Sequence, residues 1–233
     1  MKGALCRAGK FDYSSFPMVL KKLFIIGVVL LAACGGSATQ GAADYATAVK
    51  YMRGEGVAKD EQKAMEYLVK AVNAGNDRAQ LAMGYFYLRG TGGAAQDPAK
   101  AVGFFTLAAA QGNRDAQYNV GLAYVRGEGV EKDMAKGFEW FEKAAYQDDA
   151  GAQYNLGVMS INGEGHEKDL LAAYVWFMLA HEKAYEGADK GMEAAKADMT
   201  EDQIKEIDRE RAKIVRKIKK PVQPVTVGTQ QPL

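Results

Sequence analysis

Apolar residues in the central part of the chain recur at helical spacing, in short stretches separated by polar, glycine-containing segments. Four such stretches are Ala64, Tyr67, Leu68 and Ala71; Ala101, Phe104, Phe105 and Ala108; Trp140, Phe141 and Ala144; and Ala173, Trp176, Phe177 and Ala180. Large rings alternate with alanines, so a ring on one helix can enter the gap that an alanine leaves on its neighbour. The pattern predicts an all-α fold of closely packed helices.

A glycine-containing turn comes before each of these stretches. The turn residues are Gly54 and Gly56, Gly90, Gly127 and Gly129, and Gly163 and Gly165, and the turns begin 36, 37 and 36 residues apart. Asp60, Asp97, Asp133 and Asp169 keep the same step, and each can accept hydrogen bonds from the free N–H groups that begin a helix. We therefore predict four helix-turn-helix repeats, at about 43–78, 79–115, 116–151 and 152–184.

Each first helix carries a small residue at one fixed position: Ala48, Gly84, Gly121 or Gly157. A tyrosine follows three residues later in the first three repeats, at Tyr51, Tyr87 and Tyr124. Gly75 and Gly112 are placed to end second helices in the left-handed conformation.

Together these residues resemble the Sel-1-like repeat family, which is related to the tetratricopeptide repeats; the third copy, residues 116–145, matches best. The resemblance covers about Ala43 to Ala184 and implies a right-handed α/α solenoid whose first helices line its concave face. The outer copies depart from the pattern, as the ends of a solenoid do. Repeat 1 has Ala48 for glycine, and repeat 4 has Ser160 for tyrosine and His166 for valine.

Residues 185–220 are predicted to form capping helices that close the solenoid. Thr200 and Gln203 have the spacing of a capping box at the start of a helix. Four isoleucines follow on one stripe and would pack on the last repeat: Ile204, Ile207, Ile214 and Ile218. Residues 221–233 are predicted to be a disordered tail.

The amino-terminal 33 residues have the order of parts found in a secretory signal peptide. Lys21 and Lys22 come before a largely apolar run that ends at Ala33 and is too short to span a membrane. Met18 begins an ordinary signal-peptide start, so we expect translation to begin there. The lipobox of bacterial lipoproteins is similar to residues 31–34, which implies cleavage before Cys34 and attachment of lipid to that cysteine.

Residues 34–42 are small and polar and are interpreted as a tether between the lipid and the repeats. Gly35, rather than aspartate, follows Cys34, which in the sorting rule of enteric bacteria implies the outer membrane, with the protein facing the periplasm.

The charge argues against nucleic acid as a partner, and the cysteine content argues against a disulfide-bonded fold. The chain has a formal net charge of +1, and residues 1–33 carry a net +4, so the part that begins at Cys34 has a net charge of −3. Nucleic acid is therefore not expected as a partner. Cys6 and Cys34 both lie outside the repeats, so no disulfide framework holds the fold.

No cluster of residues has the spacing of a catalytic or metal site. His166 and His181 have no cysteine or clustered carboxylate at ligand spacing, and no serine is followed by lysine three residues later. The Gly54-x-Gly56 type of turn follows a helix rather than a strand and lacks the lysine of a phosphate loop. We predict no enzymatic activity, no metal and no cofactor.

The first helices carry candidate binding residues. They are Tyr85, Arg89, Tyr118, Arg126, Arg53 and Tyr154, and tyrosine and arginine dominate protein-binding hot spots. The same residues have a structural interpretation, because tyrosine fills space between helices and arginine suits the last turn of a helix.

The predicted function is a non-enzymatic scaffold or adaptor of the bacterial envelope that binds a protein or peptide. The family resemblance suggests an assembly factor, a regulator or a toxin-immunity lipoprotein. One alternative is a penicillin-binding, β-lactamase-like or other peptidoglycan-acting protein. Another is a cell-wall anchor that uses the basic segment from Arg209 to Lys220.

Overall fold

The computed structural model describes residues 38–218; the predicted signal peptide, Cys34 and the predicted tail from 221 onward lie outside this range. Four antiparallel helix pairs follow one another along the described chain: α1 (Ala38–Arg53) with α2 (Glu61–Asn73), α3 (Asp77–Arg89) with α4 (Pro98–Ala110), α5 (Arg114–Arg126) with α6 (Met134–Tyr146), and α7 (Ala150–Asn162) with α8 (Leu170–His181). Three further helices come after them: α9 (Ala188–Ala197), α10 (Glu201–Lys205) and α11 (Ile207–Ile218). The described residues contain no strand, and each pair packs on the next, so the predicted all-α solenoid of about four repeats is confirmed.

The second helices begin at the predicted aspartates. Asp60, Asp97, Asp133 and Asp169 each accept a hydrogen bond from the backbone N–H three residues later. In the first three repeats that residue is a lysine, and its backbone N–H is the main cause that lowers the pKa of the aspartate. The predicted N-caps are therefore confirmed.

Left-handed residues turn the chain between the two helices of each pair and again after the second helix. The turn glycines Gly54, Gly56, Gly90, Gly127, Gly129, Gly163 and Gly165 have φ between +66° and +78°. Gly75 and Gly112 have φ of +80° and +89° after second helices, as predicted, and Asp148 and Ala184 adopt φ of +69° and +54° at the corresponding places in repeats 3 and 4.

The second glycine of two turns contacts the backbone of the preceding repeat. A Cβ atom on Gly129 would lie 2.3 Å from the carbonyl oxygen of Pro98, and one on Gly165 would lie 2.5 Å from that of Met134. The turn of repeat 2 is different, because a Cβ atom on Gly92 would meet only side chains, Phe86 of its own repeat at 2.4 Å and Met65 of repeat 1 at 3.3 Å, and one on Gly93 would meet nothing within 4 Å. Backbone contact therefore joins repeats 2, 3 and 4, whereas repeats 1 and 2 lack it at this turn.

The predicted tether is wrong for residues 38–42, because α1 begins at Ala38. Small residues there serve close packing rather than flexibility. Gly41 is buried, and a Cβ atom on it would lie 2.8 Å from the Cβ of Ala74.

The segment after repeat 4 closes the solenoid with three separate helices. Thr200 and Gln203 form the predicted capping box, which is confirmed at the start of α10. Ile214 is buried beside Trp176 and Leu179, and Ile207 and Ile218 pack around them. Ile204 does not belong to this stripe, since it is 38% exposed and the helix is interrupted at Glu206. Instead, α9 covers Phe177, whose ring would lie 2.5 Å from a Cβ atom on Gly191.

Candidate protein-binding surface

Five of the six candidate residues lie on α3, α5 and α7, whose solvent-facing side we call the first-helix surface; the sixth, Arg53, is the last residue of α1. A side-chain cap begins each of these helices: Asn76, Asn113 and Asp149 accept hydrogen bonds from the N–H groups of Ala79, Ala116 and Ala152. Gly90, Gly127 and Gly163 end the same helices in the left-handed conformation. The three helices therefore present their side chains in a common register.

Each first helix approaches its partner closely at a glycine. A Cβ atom on Gly84, Gly121 or Gly157 would lie 2.4–2.7 Å from the ring of Phe105, Phe141 or Phe177. In repeat 1 the corresponding residues are Ala48 and Leu68, both fully buried. The first helix there has alanine instead of glycine, and the second helix has leucine instead of the larger phenylalanine. This close approach of the two helices explains why each first helix has a small residue at the same position.

The three candidate tyrosines are half-buried against these phenylalanines. The ring centroids lie 5.2 Å apart for Tyr85 and Phe105, 5.6 Å for Tyr118 and Phe141, and 5.5 Å for Tyr154 and Phe177. Tyr85 stands one helical turn further along its helix than Tyr118 and Tyr154 do, because Leu81 occupies their position in repeat 2. Residues four apart share a helix face, so Tyr85 reaches an equivalent ring from a different position.

Asparagines connect these tyrosines from one repeat to the next. The amide of Asn119 donates to the hydroxyl of Tyr85 at 2.8 Å and to the carbonyl of Asp115 at 2.6 Å. Asn155 likewise donates to the hydroxyl of Tyr118 at 3.5 Å and to the carbonyl of Gly151 at 2.9 Å. The tyrosines therefore serve the stacking of repeats, and their exposed edges are held in fixed positions.

The candidate arginines are exposed at the carboxyl ends of the first helices. The guanidinium of Arg89 lies 5.4 Å from the ring centre of Tyr85. Arg53 pairs with Glu55 at 3.3 Å and Arg126 with Glu128 at 4.0 Å, whereas Thr91 takes the place of the glutamate after Arg89. Arg89 is thus free of the local ion pair that its equivalents make.

Tyr118 is the centre of a second tyrosine group. Burial raises its pKa above the ordinary value, and the charges of Tyr185 and Asp149 act in the same direction, against the Asn155 hydrogen bond and Arg126. Tyr185 comes from the segment after α8, and its ring lies 5.0 Å from that of Tyr154. The structure therefore brings Tyr85 together with Arg89, places Arg126 and Tyr185 near Tyr118, and sets Tyr154 beside Tyr185, while Arg53 stands apart at the turn of repeat 1.

Asn119, Asn155 and Tyr185 were not among the residues that the sequence predicted for this surface. The two asparagines lie 36 residues apart, so the repeat step could have identified them. Tyr185 lies outside the repeated pattern, and only its position in space relates it to Tyr118 and Tyr154.

A row of buried glutamines links these first helices to the ends of second helices, in the same repeat and, for Gln117 and Gln153, also in the preceding repeat. Gln80, Gln117 and Gln153 are 6%, 0% and 0% exposed. The side-chain oxygens of Gln80 and Gln117 each accept a hydrogen bond, at 2.7 Å, from Gln111 and Gln147 at the ends of second helices. In repeat 4 the donor to Gln153 is Lys183, which also lies 2.7 Å from a carboxylate oxygen of Asp148.

Ser160 and His166 form the one serine–histidine hydrogen bond among residues 38–218, with Oγ and Nε2 3.2 Å apart. Ser160 is fully buried, and the centre of the imidazole ring lies 4.0 Å from that of Phe138, with the two ring planes at 48°. This serine does not present a nucleophile to solvent. The described residues also contain no group of three or more potential metal ligands.

Most cations of the basic helix α11 already have partners. Arg209, Lys213 and Arg211 pair with Glu206, Glu210 and Glu182 at 3.2, 2.6 and 2.7 Å. The ammonium of Lys217 donates to the hydroxyl of Tyr146 at 3.1 Å. Lys219 and Lys220 of the predicted basic segment lie outside the described residues. Between residues 38 and 218 no helix is long and apolar enough to cross a membrane.

Comparison with known proteins identifies the repeats. The sequence profile described as Sel1 repeat matches residues 41–76, 77–113, 114–149 and 150–185. The four matches together span well over half of the chain. Among curated proteins, none matches the chain significantly.

Two crystal structures are similar in fold. A Sel1 repeat protein from Oxalobacter formigenes is 27% identical, with a TM-score of 0.64 over 74% of this chain and 73% of that one. A protective antigen present in uropathogenic Escherichia coli strains, which displays an SLR fold, is 24% identical, with a TM-score of 0.52 over 82% of this chain and 50% of its own. The second likeness concerns the fold alone, and this chain spans about half the length of that antigen.

Proposed function

Because the chain belongs to the Sel1 repeat family, whose members are generally protein–protein interaction scaffolds, we propose that it is a non-enzymatic adaptor of the bacterial envelope. In this proposal the first-helix surface binds another protein or an extended peptide, and lipid on Cys34 holds the adaptor at the outer membrane. Its partner is an envelope protein, so the adaptor acts in assembly, in regulation or in immunity to a toxin.

One observation carries the choice of surface. The exposed edges of Tyr85, Tyr118 and Tyr154 are held by ring and hydrogen-bond contacts before any partner binds, and the guanidinium of Arg89 lies beside the ring of Tyr85. Groups that are already fixed lose little conformational entropy when a partner binds, which raises affinity. Tyrosine and arginine also supply large contact areas with directional hydrogen bonds.

Site-specific cross-linking in intact cells tests this function. A photo-reactive amino acid is placed at Arg89 and Arg126 in the first-helix surface and, as a control, at Glu139, which is exposed on the second helix of repeat 3. We expect irradiation to link one and the same envelope protein to positions 89 and 126 and not to position 139. Equal products from all three positions, or no product at 89 and 126, would refute the proposed surface.

The enzymatic alternative has a separate test. A penicillin-binding or β-lactamase-like protein requires a serine that its substrate can reach, and Ser160 is buried. Incubation of the purified protein with nitrocefin distinguishes the two functions, because turnover of this chromogenic β-lactam would contradict a purely adaptor role.

A further inference from the structure

An apolar groove lies on the second-helix side of repeats 1 and 2, away from the first-helix surface. It has a volume of about 340 Å³ and runs between α2 and α4, above α3 and the turn of repeat 2. Its lining includes Met65, Val69, Val72, Met83, Tyr87 and Phe104. Two methionines with aliphatic and aromatic neighbours make an adaptable binding surface.

Val69 distinguishes this groove from the corresponding surface of repeats 2 and 3. It lies nine residues after the N-cap Asp60 and is 44% exposed. The corresponding residues of repeats 2 and 3 are Thr106 and Glu142, both polar. Repeat 1 therefore exposes an apolar side chain where the following two repeats meet solvent with polar ones.

The corresponding groove two repeats further on is occupied by a helix of this chain. Met65 and Asn73 of α2 correspond to Phe138 and Tyr146 of α6, which come 73 residues later. Phe104 of α4 corresponds to Trp176 of α8, which comes 72 residues later. Over these larger side chains lies α11, which buries Ile214 against Trp176 and packs on both α6 and α8. The molecule thus shows how an amphipathic helix fits between two neighbouring second helices.

We propose that the groove between α2 and α4 is a second docking surface, which takes an amphipathic helix of another protein as the groove between α6 and α8 takes α11. The charges indicate the chemistry of that helix. Arg211 of α11 pairs with Glu182, and Lys217 donates to Tyr146. The corresponding residues of the open groove are Ala110 and Asn73. The partner helix therefore presents an aliphatic stripe that is not flanked by cations at these two places.

Two labelled peptides test this proposal on the full-length protein. Both have the sequence of residues 201–218, one natural and one with Arg211→Leu, and binding is followed by fluorescence anisotropy. Because the protein's own α11 covers its own groove, a peptide added in solution meets the open one. We expect the Arg211→Leu peptide to bind about threefold more tightly than the natural one, because the substitution removes an exposed charge that would have no partner in the open groove.

Matched valine variants locate the binding site. Val69→Glu is expected to weaken binding of the Arg211→Leu peptide by about tenfold or more. Val57→Glu, at a valine that is 37% exposed in the turn of repeat 1, is expected to leave binding unchanged. Val69→Thr copies the residue of repeat 2 and serves the same purpose if the glutamate variant does not fold. Arg89→Ala should have no effect on this peptide.

The opposite results would overturn the proposal. They are failure of both peptides to bind, equal weakening by Val69→Glu and Val57→Glu, or tighter binding of the natural peptide. The last result would show that the added peptide displaces α11 and uses Glu182, so that the open groove is not the site.

Discussion

The ring of Phe141 lies so close to Gly121 that a Cβ atom on the glycine would be 2.7 Å from it. Phe141 is 1% exposed and cannot move into solvent. We therefore expect Gly121→Ala to lower the free energy of unfolding by about 1–2 kcal/mol, because overpacking outweighs the better helix propensity of alanine. Gly103→Ala is the control; this helical glycine has open space around it, so the variant should gain up to about 1 kcal/mol. Urea denaturation measures both changes.

A double variant tests the cause of that loss. Gly121→Ala combined with Phe141→Leu reproduces the Ala48 and Leu68 pair of repeat 1. The double variant should be more stable than the sum of the two single changes predicts. Strictly additive effects would mean that the two side chains do not compete for space.

Lys183 replaces a glutamine in the buried row, and substitutions there separate its hydrogen bond from its charge. Lys183→Gln should change stability little, because Gln111 and Gln147 make the same bond in the preceding repeats. Lys183→Met should cost about 1–3 kcal/mol, since it leaves the buried oxygen of Gln153 without a donor. Thermal unfolding measures the stability of the two variants. An equal loss of stability in both would show that the ion pair with Asp148, rather than the hydrogen bond to Gln153, is the stabilising contact.

Ile214 and Ile204 had the same predicted role, but the structure assigns them different ones. Ile214→Ala removes a side chain that is 5% exposed, and should lower the free energy of unfolding by about 2–4 kcal/mol. Ile204→Ala, at a residue that is 38% exposed, should change it by less than about 0.5 kcal/mol. A comparable loss in both variants would show that α10 also contributes to the cap.

Arg89 and Arg126 differ in their local partners, so their substitutions should differ in effect on partner binding. Arg89→Ala is expected to weaken binding of the cross-linked partner by about 1–2 kcal/mol or more. Arg126→Ala should weaken it less, because Arg126 already pairs with Glu128 and must give up part of that contact. Calorimetry with the purified partner measures both, and unchanged affinity in the folded double variant would exclude this surface.

Cys34→Ser tests the proposed lipid anchor. The variant should lose incorporation of labelled palmitate, and should be recovered as unprocessed or soluble protein instead of with membranes. Unchanged membrane recovery, or a mature amino terminus at another residue, would contradict the anchor. The Gly103→Ala variant, whose change lies within the repeats, controls for effects of substitution on export.

The sequence predicted most of the repeat architecture because glycines and N-cap aspartates have local requirements. A positive φ or a free N–H group calls for a particular residue wherever it occurs, so Asp60 and Gly75 could be interpreted without knowledge of the fold. The small residues near Gly41 could not, since flexibility and close packing favour the same composition, and only the position of Ala74 distinguishes them. Periodicity likewise grouped Ile204 with Ile214, but a helix boundary at Glu206 separates them. On the candidate surface, the bond between Asn119 and Tyr85 depends on a spacing of 34 residues rather than the repeat step.

The backbone contacts at Gly129 and Gly165 also bear on the order in which the molecule opens. A solenoid is stabilised mainly through neighbouring units, so its weakest junction determines where fraying starts. The junction between repeats 1 and 2 lacks the backbone contact that the later turns make, and among residues 38–218 repeat 1 packs against another repeat on one side only. The amino-terminal repeat is therefore the unit expected to detach first, while repeats 2–4 keep their folded state, and it is also the repeat nearest in sequence to Cys34.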